Sequence, residues 1–206
     1  MKQSVESKIV VKIKKYKRGK IFFADDFALY GSSDSIRQAL QSLQKSGLLV
    51  RVATGIYWYP KINTLEWLDT QYLLPTIDEI AQAIAKRDKI RIVPTGAYAL
   101  NALGLSTQVV MNVVYITDGA ARRIKVGAGR GILFQHTSEM RRLTFKSKLL
   151  MLIDSALREI GEGKLRPNEL EIIREKLKYA TQKDIDRDID LMPVWVREIV
   201  LKLWNS

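Results

Sequence analysis

Residues 32–60 read SSDSIRQALQSLQKSGLLVRVATGIYWYP, and this stretch decides the predicted fold. Its first half carries apolar residues at the spacing of one helix face, namely Ile36, Ala39, Leu40 and Leu43. Serine and aspartate at its start can cap the first free N–H groups of a helix, and Gly47 can take the left-handed conformation that ends one. Two β-rich runs follow, at 48–52 and 56–59. The stretch therefore predicts a helix followed at once by a β-hairpin.

The polar face of this predicted helix carries side chains that can read DNA. Arginine can bind guanine through two hydrogen bonds in the major groove, and glutamine can bind adenine in the same way. By this chemistry the candidate base-reading residues are Arg37, Gln38 and Gln41. The same residues would also form the solvated side of an ordinary amphipathic helix, so their function depends on the neighbouring elements.

The residues before this stretch supply those neighbouring elements. Apolar spacing predicts a helix over 5–16, a short strand at 20–22 and a second helix over 25–29. The resulting order of helix, strand, helix, turn, helix and hairpin is that of a winged helix-turn-helix domain. We predict such a DNA-binding domain over residues 1–62, with the third helix in the major groove.

Residues around the third helix and the hairpin are candidates for contacts to the DNA backbone. They are Lys20, Ser33, Lys45, Arg51 and Thr54. Strand alternation places Val50 and Val52 on one face and Arg51 and Ala53 on the other, so we expect Arg51 to project from the hairpin. An exposed charge without a partner is the alternative. The aromatic run at 57–59 could stack on nucleobases, but its strand spacing favours packing against the helices.

The distribution of charge agrees with a polyanionic partner. The chain has a formal net charge of +12. Residues 1–62 hold twelve Lys or Arg against four Asp or Glu, so most of the excess lies in under a third of the chain. Neutralising phosphates releases counterions and supplies much of the affinity for DNA. A membrane partner is not expected, because the first helix lacks the Trp, Phe and Leu of a basic amphipathic anchor.

Composition excludes several other classes of function. The chain has no cysteine, so disulfides, thiol catalysis and cysteine-ligated metal sites are excluded. Neither a signal peptide nor a run of about 18 uncharged apolar residues is found in the sequence. We therefore expect a soluble, cytoplasmic protein.

The rest of the chain predicts a second domain, over residues 63–206, of mixed α/β type. Residues 63–74 are too apolar for a flexible linker and are predicted to pack as a connecting segment. Strands are predicted at 91–94, 109–117, 122–126 and 132–136, and helices at 76–85, 95–105, 145–160, 167–179, 183–190 and 194–204. The whole chain is thus predicted to be α+β: a winged helix-turn-helix, then a small sheet and a helical C-terminal tail.

A second basic set lies in the middle of this region. Its main members are Arg122, Arg123, Lys125, Arg130, Arg141 and Arg142. This set could extend a nucleic-acid surface, or it could be an ordinary solvated surface balanced by the acids of the helical tail.

No constellation of residues argues for an enzyme, a metal or a cofactor. The sequence GAGRG at 127–131 lacks the Lys-Ser/Thr ending of a phosphate-binding loop and is predicted to be a hairpin turn. His136 is the single histidine and has no catalytic signature beside it. Alternating acids at 184, 186, 188 and 190 would align on a strand but disperse on a helix, and the helix is favoured. The alternatives are a Mg²⁺-dependent nucleic-acid-modifying enzyme that uses these acids, and a protein-interaction module tethered to DNA.

Three stretches carry a family resemblance: GIYWYP at 55–60, PTGAYALNALGLSTQV at 94–109 and LMPVWVREIV at 191–200. Through them the chain resembles the AbiEi-like antitoxin family of bacterial type IV toxin–antitoxin systems, in the branch with a domain of unknown function (DUF6088-like). The resemblance implies a winged helix that represses its own operon by binding operator DNA. By position it implies that Ser35 joins Arg37, Gln38 and Gln41 in reading bases, with Arg51 and Thr54 at the wing. It also implies a C-terminal antitoxin domain that counters a nucleotidyltransferase toxin without stably binding it. Many relatives carry a basic residue before the wing glycine, where this chain has Thr54.

Overall fold

The elements of the protein follow the apolar pattern of its sequence closely. The computed structural model describes residues 3–62, 72–108, 110–127 and 129–206. Contacts divide the chain into two compact units, Met1–Ile84 with Lys125–Gly129 and Ala85–Ile124 with Arg130–Ser206. Its class is α+β, as predicted. The connecting segment predicted at 63–74 falls mostly outside the described residues, so its packing remains a prediction.

The first elements along the chain alternate helices with short strands. They are α1 Val5–Lys14, β1 Ile21–Phe23, a 3₁₀ helix Ala24–Tyr30, α2 Ser33–Lys45, β2 Val50–Ala53, β3 Ile56–Trp58, β4 Lys61–Ile62, β5 Tyr72–Leu73 and α3 Ile77–Asp88. The second predicted helix is a 3₁₀ helix that begins where the Asp26 carboxylate accepts a 2.8 Å hydrogen bond from the Phe23 N–H. The predicted order of elements through the hairpin is confirmed.

Local sequence fixes both ends of α2. The Ser32 hydroxyl accepts a hydrogen bond from the Ser35 N–H at 3.3 Å, which caps the start of the helix. Gly47 has φ +75°, which favours glycine, and a Cβ placed there would lie 2.8 Å from the Tyr72 hydroxyl oxygen, so the Tyr72 side chain would have to shift. The four apolar positions of the predicted stripe are all buried: Ile36, Ala39, Leu40 and Leu43.

The sheet of the first unit has the order β1-β3-β2, and its neighbours are antiparallel. Phe22 and Arg51 both lie opposite Tyr57, so these three side chains share one face of the sheet. Phe22 and Tyr57 belong to the same buried cluster as residues of α1 and α2, including Ile9 and Leu40. This face therefore packs toward the two helices.

The opposite face of this sheet is also buried. Ile21, Ile56 and Trp58 lie on it and are at most 7% exposed. The Trp58 indole N–H donates to the Leu73 carbonyl at 3.0 Å, and the Gly127 N–H donates to the Val52 carbonyl at 3.1 Å. Both faces of the sheet are therefore packed against other parts of the first unit. Strand β2 lies at one edge of the sheet.

The second unit combines a small sheet with a helical tail, as predicted. Its elements are β6 Ile92–Pro94, α4 Ala97–Leu103, β7 Asn112–Thr117, β8 Arg122–Lys125, β9 Gly131–His136, a 3₁₀ helix Met140–Leu143, α5 Lys148–Ile160, α6 Pro167–Leu177, α7 Gln182–Asp188, a 3₁₀ helix Ile189–Leu191 and α8 Val194–Trp204. The strand order is β6-β7-β9-β8, with β7 and β9 parallel. Apolar residues of α4, α5, α6, α7 and α8 form one buried cluster.

Candidate nucleic-acid interface

The solvent-facing side of α2 presents the predicted polar side chains. Arg37, Gln38 and Gln41 are exposed, and so is Lys45 in its last turn. Ser35 is different, because it is half-buried and its hydroxyl donates to the Ser32 carbonyl at 2.8 Å. Its side chain therefore supports the start of the helix, while the other predicted base-reading residues point into solvent.

Two grooves lie between α2 and the hairpin. The first, of about 410 Å³, is at the start of α2, and its lining includes Ser33, Thr54 and Gly55. The second, of about 380 Å³, is toward the end of α2 and is lined by Arg37, Gln41, Gln44, Lys45, Arg51 and Tyr57. Arg37, Arg51 and Tyr57 line both grooves. The helix and the edge strand therefore border one continuous depression, which Gln38 does not line.

The two arginines of this depression differ in their present partners. The Arg37 guanidinium donates to the Asp34 carboxylate at 3.2 Å, and the two side chains are 75% and 82% exposed. The Arg51 guanidinium lies 3.5 Å from the Thr54 hydroxyl, at the limit of a hydrogen bond. No carboxylate in the described part of the chain pairs with Arg51. Arg51 thus offers a full positive charge beside α2.

A β-bulge after Arg51 sets the direction of Ala53. We expected Ala53 to share the face of Arg51, but the pairing with β3 shifts between these two residues. Ala53 consequently lies opposite Ile56 and is buried, whereas Arg51 stays opposite Tyr57 on the helix-facing side. The expected alternation is wrong here, because the extra residue of a bulge breaks the two-residue period.

The basic run at the end of α1 and just after it, residues 12–20, is partly used for packing. The Arg18 guanidinium donates to the Pro60 carbonyl at 2.9 Å, and the Lys12 ammonium donates to the Asp26 carbonyl. Lys20 is exposed at the turn into β1, with its ammonium 5.6 Å from the centre of the Tyr16 ring. Three further lysines are exposed and form no ion pair within the described residues: Lys14, Lys15 and Lys17. The first unit therefore keeps a large excess of accessible positive charge.

The aromatic run of β3 belongs to the core. Tyr57, Trp58 and Tyr59 are 8%, 2% and 8% exposed. The Tyr59 ring also lies beneath the Arg18 guanidinium, at 4.8 Å from its centre. Packing, rather than stacking on nucleobases, is therefore confirmed as their role in the fold.

The second basic set is partly neutralised. Arg122 pairs with Asp88 and lies over the Phe134 ring, and Arg123 donates to the Asn112 side chain at 3.1 Å. Arg142 is 16% exposed, near Glu139, and burial lowers the pKa of its guanidinium. Lys125 and Arg141 are exposed, and Arg130 is half-buried. Lys125 belongs to the first compact unit and the other five residues belong to the second.

The alternating acids do not share a site. The predicted helix is confirmed as α7, and its carboxylates are bound by protein donors, with Arg187 contacting both Asp184 and Asp188. Asp184 caps the helix with Thr181, Asp186 accepts from Gln182, and Asp190 pairs with Arg197. In the ranges that the structure describes, no three Asp, Glu or His side chains are grouped so that they could hold a metal.

Sequence reasoning missed the burial of Asp154, and also that of Asp188, which it named only as one of the alternating acids. Asp154 is 1% exposed and accepts hydrogen bonds of 3.0 and 2.9 Å from Arg158, while burial raises the pKa of its carboxyl. Asp188 is also 1% exposed and accepts from the N–H groups of Lys146 and Ser147. The i, i+4 spacing of Asp154 and Arg158 is visible in the sequence, but burial decides its importance.

Comparison with known proteins places most of the chain in one family. Residues 8–185 match the family described as "Family of unknown function (DUF6088)". A search of curated proteins finds no match. Within the described ranges, every helix is too short or too polar to cross a membrane.

Proposed function

We propose that this chain, which belongs to the DUF6088 family, is a sequence-specific double-stranded DNA-binding protein whose interface is α2 and the hairpin β2–β3. The observation that carries the proposal is the depression between α2 and β2, with Arg37 and Arg51 on both of its grooves. The element order and the β1-β3-β2 sheet support a winged helix-turn-helix assignment. In that arrangement α2 is the recognition helix and the hairpin is the wing.

Accessible charge supports the same proposal. A helix that enters the major groove needs donors on its exposed face and cations around it for phosphates. Arg37, Gln38 and Gln41 supply the donors. Lys20, which precedes this helix in the chain, and Lys45, its last residue, are exposed cations. We assign base reading to the first three residues and backbone contact to the two lysines.

The resemblance to AbiEi-like antitoxins gives this binding a biological role in the proposal. The protein acts as an antitoxin and autorepressor of a bacterial type IV toxin–antitoxin system, and its operator lies upstream of its own gene. It counters a nucleotidyltransferase toxin in the cytoplasm without stably binding it. The protein works through binding, not catalysis, in this role.

The test is a gel-shift or anisotropy titration of the full chain with its own upstream DNA and with a random duplex. We expect clearly tighter binding to the upstream DNA. Arg37→Ala should cost roughly 1–3 kcal/mol on the specific site, because a two-hydrogen-bond contact to one base pair is lost. Lys20→Ala should weaken binding to both duplexes and reduce the salt dependence. Equal affinity for the two duplexes would contradict the proposal.

A further inference from the structure

We infer that Arg51 on β2 is a specificity-determining residue that reads a base edge together with Arg37 on α2. The inference rests on the proposed DNA-binding function and changes the role of Arg51. From its strand position we expected Arg51 to contact the DNA backbone. The structure instead places it in the depression that the base-reading face of α2 borders.

The register of the hairpin determines on which side of the sheet Arg51 lies. Arg51 lies opposite Tyr57, and Tyr57 lies opposite Phe22, which is 1% exposed in the core beneath the helices. Side chains opposite each other across a strand pair share a face. Arg51 therefore leaves the sheet on the helix-facing side, and only its position on the edge strand keeps it exposed.

The residues that line the second groove place Arg51 beside the exposed face of α2. Arg51 shares the second groove with Arg37, Gln41 and Gln44, whose side chains come from successive turns of one exposed helix face. A recognition helix that enters the major groove holds these side chains at the base edges. Because the Arg51 guanidinium borders the same groove of the protein, it approaches the bases together with these side chains. Lys45 also lines the second groove, but its ammonium cannot form the two-hydrogen-bond fork that reads guanine, and Lys20 lines neither groove, so both lysines remain backbone contacts.

The side chain of Arg51 has the hydrogen-bond donors that a base contact needs. A guanidinium presents a rigid, planar fork of N–H donors that matches the N7 and O6 acceptors of guanine. The only partner of the Arg51 guanidinium within the described residues is the Thr54 hydroxyl, at 3.5 Å. Arg51 therefore has to give up only this long hydrogen bond before it can bind a base. The ligand we assign to it is a guanine in the major groove, at a different position from the base read by Arg37.

The experiment is selection from a pool of duplexes with a randomised centre, using the full-length protein and its variants Arg51→Ala, Arg51→Lys, Arg37→Ala and Lys20→Ala. The wild type should select a defined consensus. Arg51→Ala should lose the preference for guanine at one position by about 5- to 150-fold, and Arg37→Ala should lose it at a different position. Arg51→Lys should lose the preference too, because an ammonium keeps the charge but cannot form the fork.

Lys20→Ala is the matched control for loss of one positive charge. It should keep the wild-type consensus, bind all duplexes more weakly and lower the salt slope by about one unit. If Arg51→Ala behaves like Lys20→Ala, or if Arg51→Lys keeps the full preference, Arg51 contacts phosphate and the inference is wrong while the proposed function stands. A wild-type protein that selects no consensus would overturn both.

Discussion

The guanidinium of Arg37 donates a 3.2 Å hydrogen bond to the carboxylate of Asp34, one turn earlier on the face of α2 that we propose to enter DNA. This pair holds a side chain that we propose to read a base, and it places a negative charge at the proposed interface. Asp34→Asn should release Arg37 and remove repulsion from phosphates. We expect about 1.4- to 5-fold tighter binding to DNA in an anisotropy titration, since exposed ion pairs contribute only about 0.2–1 kcal/mol. The gain should shrink as salt is added.

Glu171→Gln is the control for this change, because Glu171 is an acid of similar exposure paired with Arg174 in the second unit. It removes the same charge away from α2. Equal gains from both variants would mean that only the net charge of the protein matters.

The apolar side of α2 should determine stability separately from DNA binding. Leu40 is 1% exposed and belongs to the buried cluster of the first unit. Leu40→Ala should lower the free energy of unfolding by about 2–5 kcal/mol, because a buried side chain is replaced by a cavity. Urea unfolding followed by circular dichroism measures this. Gln44→Ala, on the exposed face of the same helix, should leave the unfolding midpoint nearly unchanged. A similar midpoint for the two variants would contradict this division of the helix.

The second unit should depend on the carboxylate of Asp188. Its Oδ2 accepts hydrogen bonds of 3.0 and 2.6 Å from the N–H groups of Lys146 and Ser147, and its Oδ1 accepts one from Arg187. Asp188→Ala would leave these donors without an acceptor, at a cost of roughly 1–3 kcal/mol or more in the free energy of unfolding. Thermal unfolding tests it, with Asp186→Ala as the exposed control on the same helix. A control as destabilising as Asp188→Ala would show that the buried hydrogen bonds are unimportant.

Acid should weaken the contact between Arg91 and Asp118. The Arg91 side chain donates a 2.8 Å hydrogen bond that lowers the pKa of the Asp118 carboxyl below its ordinary value. A lowered carboxyl pKa stabilises the folded state above the pKa of the unfolded chain, about 4, and this contribution is lost as the pH falls through the folded pKa. Asp118→Asn should therefore lower the urea midpoint at neutral pH and make less difference below about pH 4. A difference between wild type and variant that does not change with pH would contradict this.

Much of the candidate interface could be predicted from the sequence, because the signals for α2 are local. The spacing of its apolar residues predicts which face is buried, and Ser32 and Gly47 mark its ends. The exposed Arg37, Gln38 and Gln41 follow from the same periodicity. The role of Ser35 could not be read this way, because its hydroxyl is used by the backbone at the start of the helix.

The sequence by itself determined the helices, most of the strands and the concentration of positive charge in the first 62 residues, since each depends on neighbours within a few positions. Only the tertiary structure decided the bulge after Arg51, the parallel pairing of β7 with β9, the hydrogen bond from Gly127 to Val52 and the burial of Asp188. These features join residues that are distant in the chain or depend on which strand pairs with which. These interactions stabilise the protein only after distant segments have packed together and excluded water. The spacing of neighbouring residues in the sequence therefore cannot predict them.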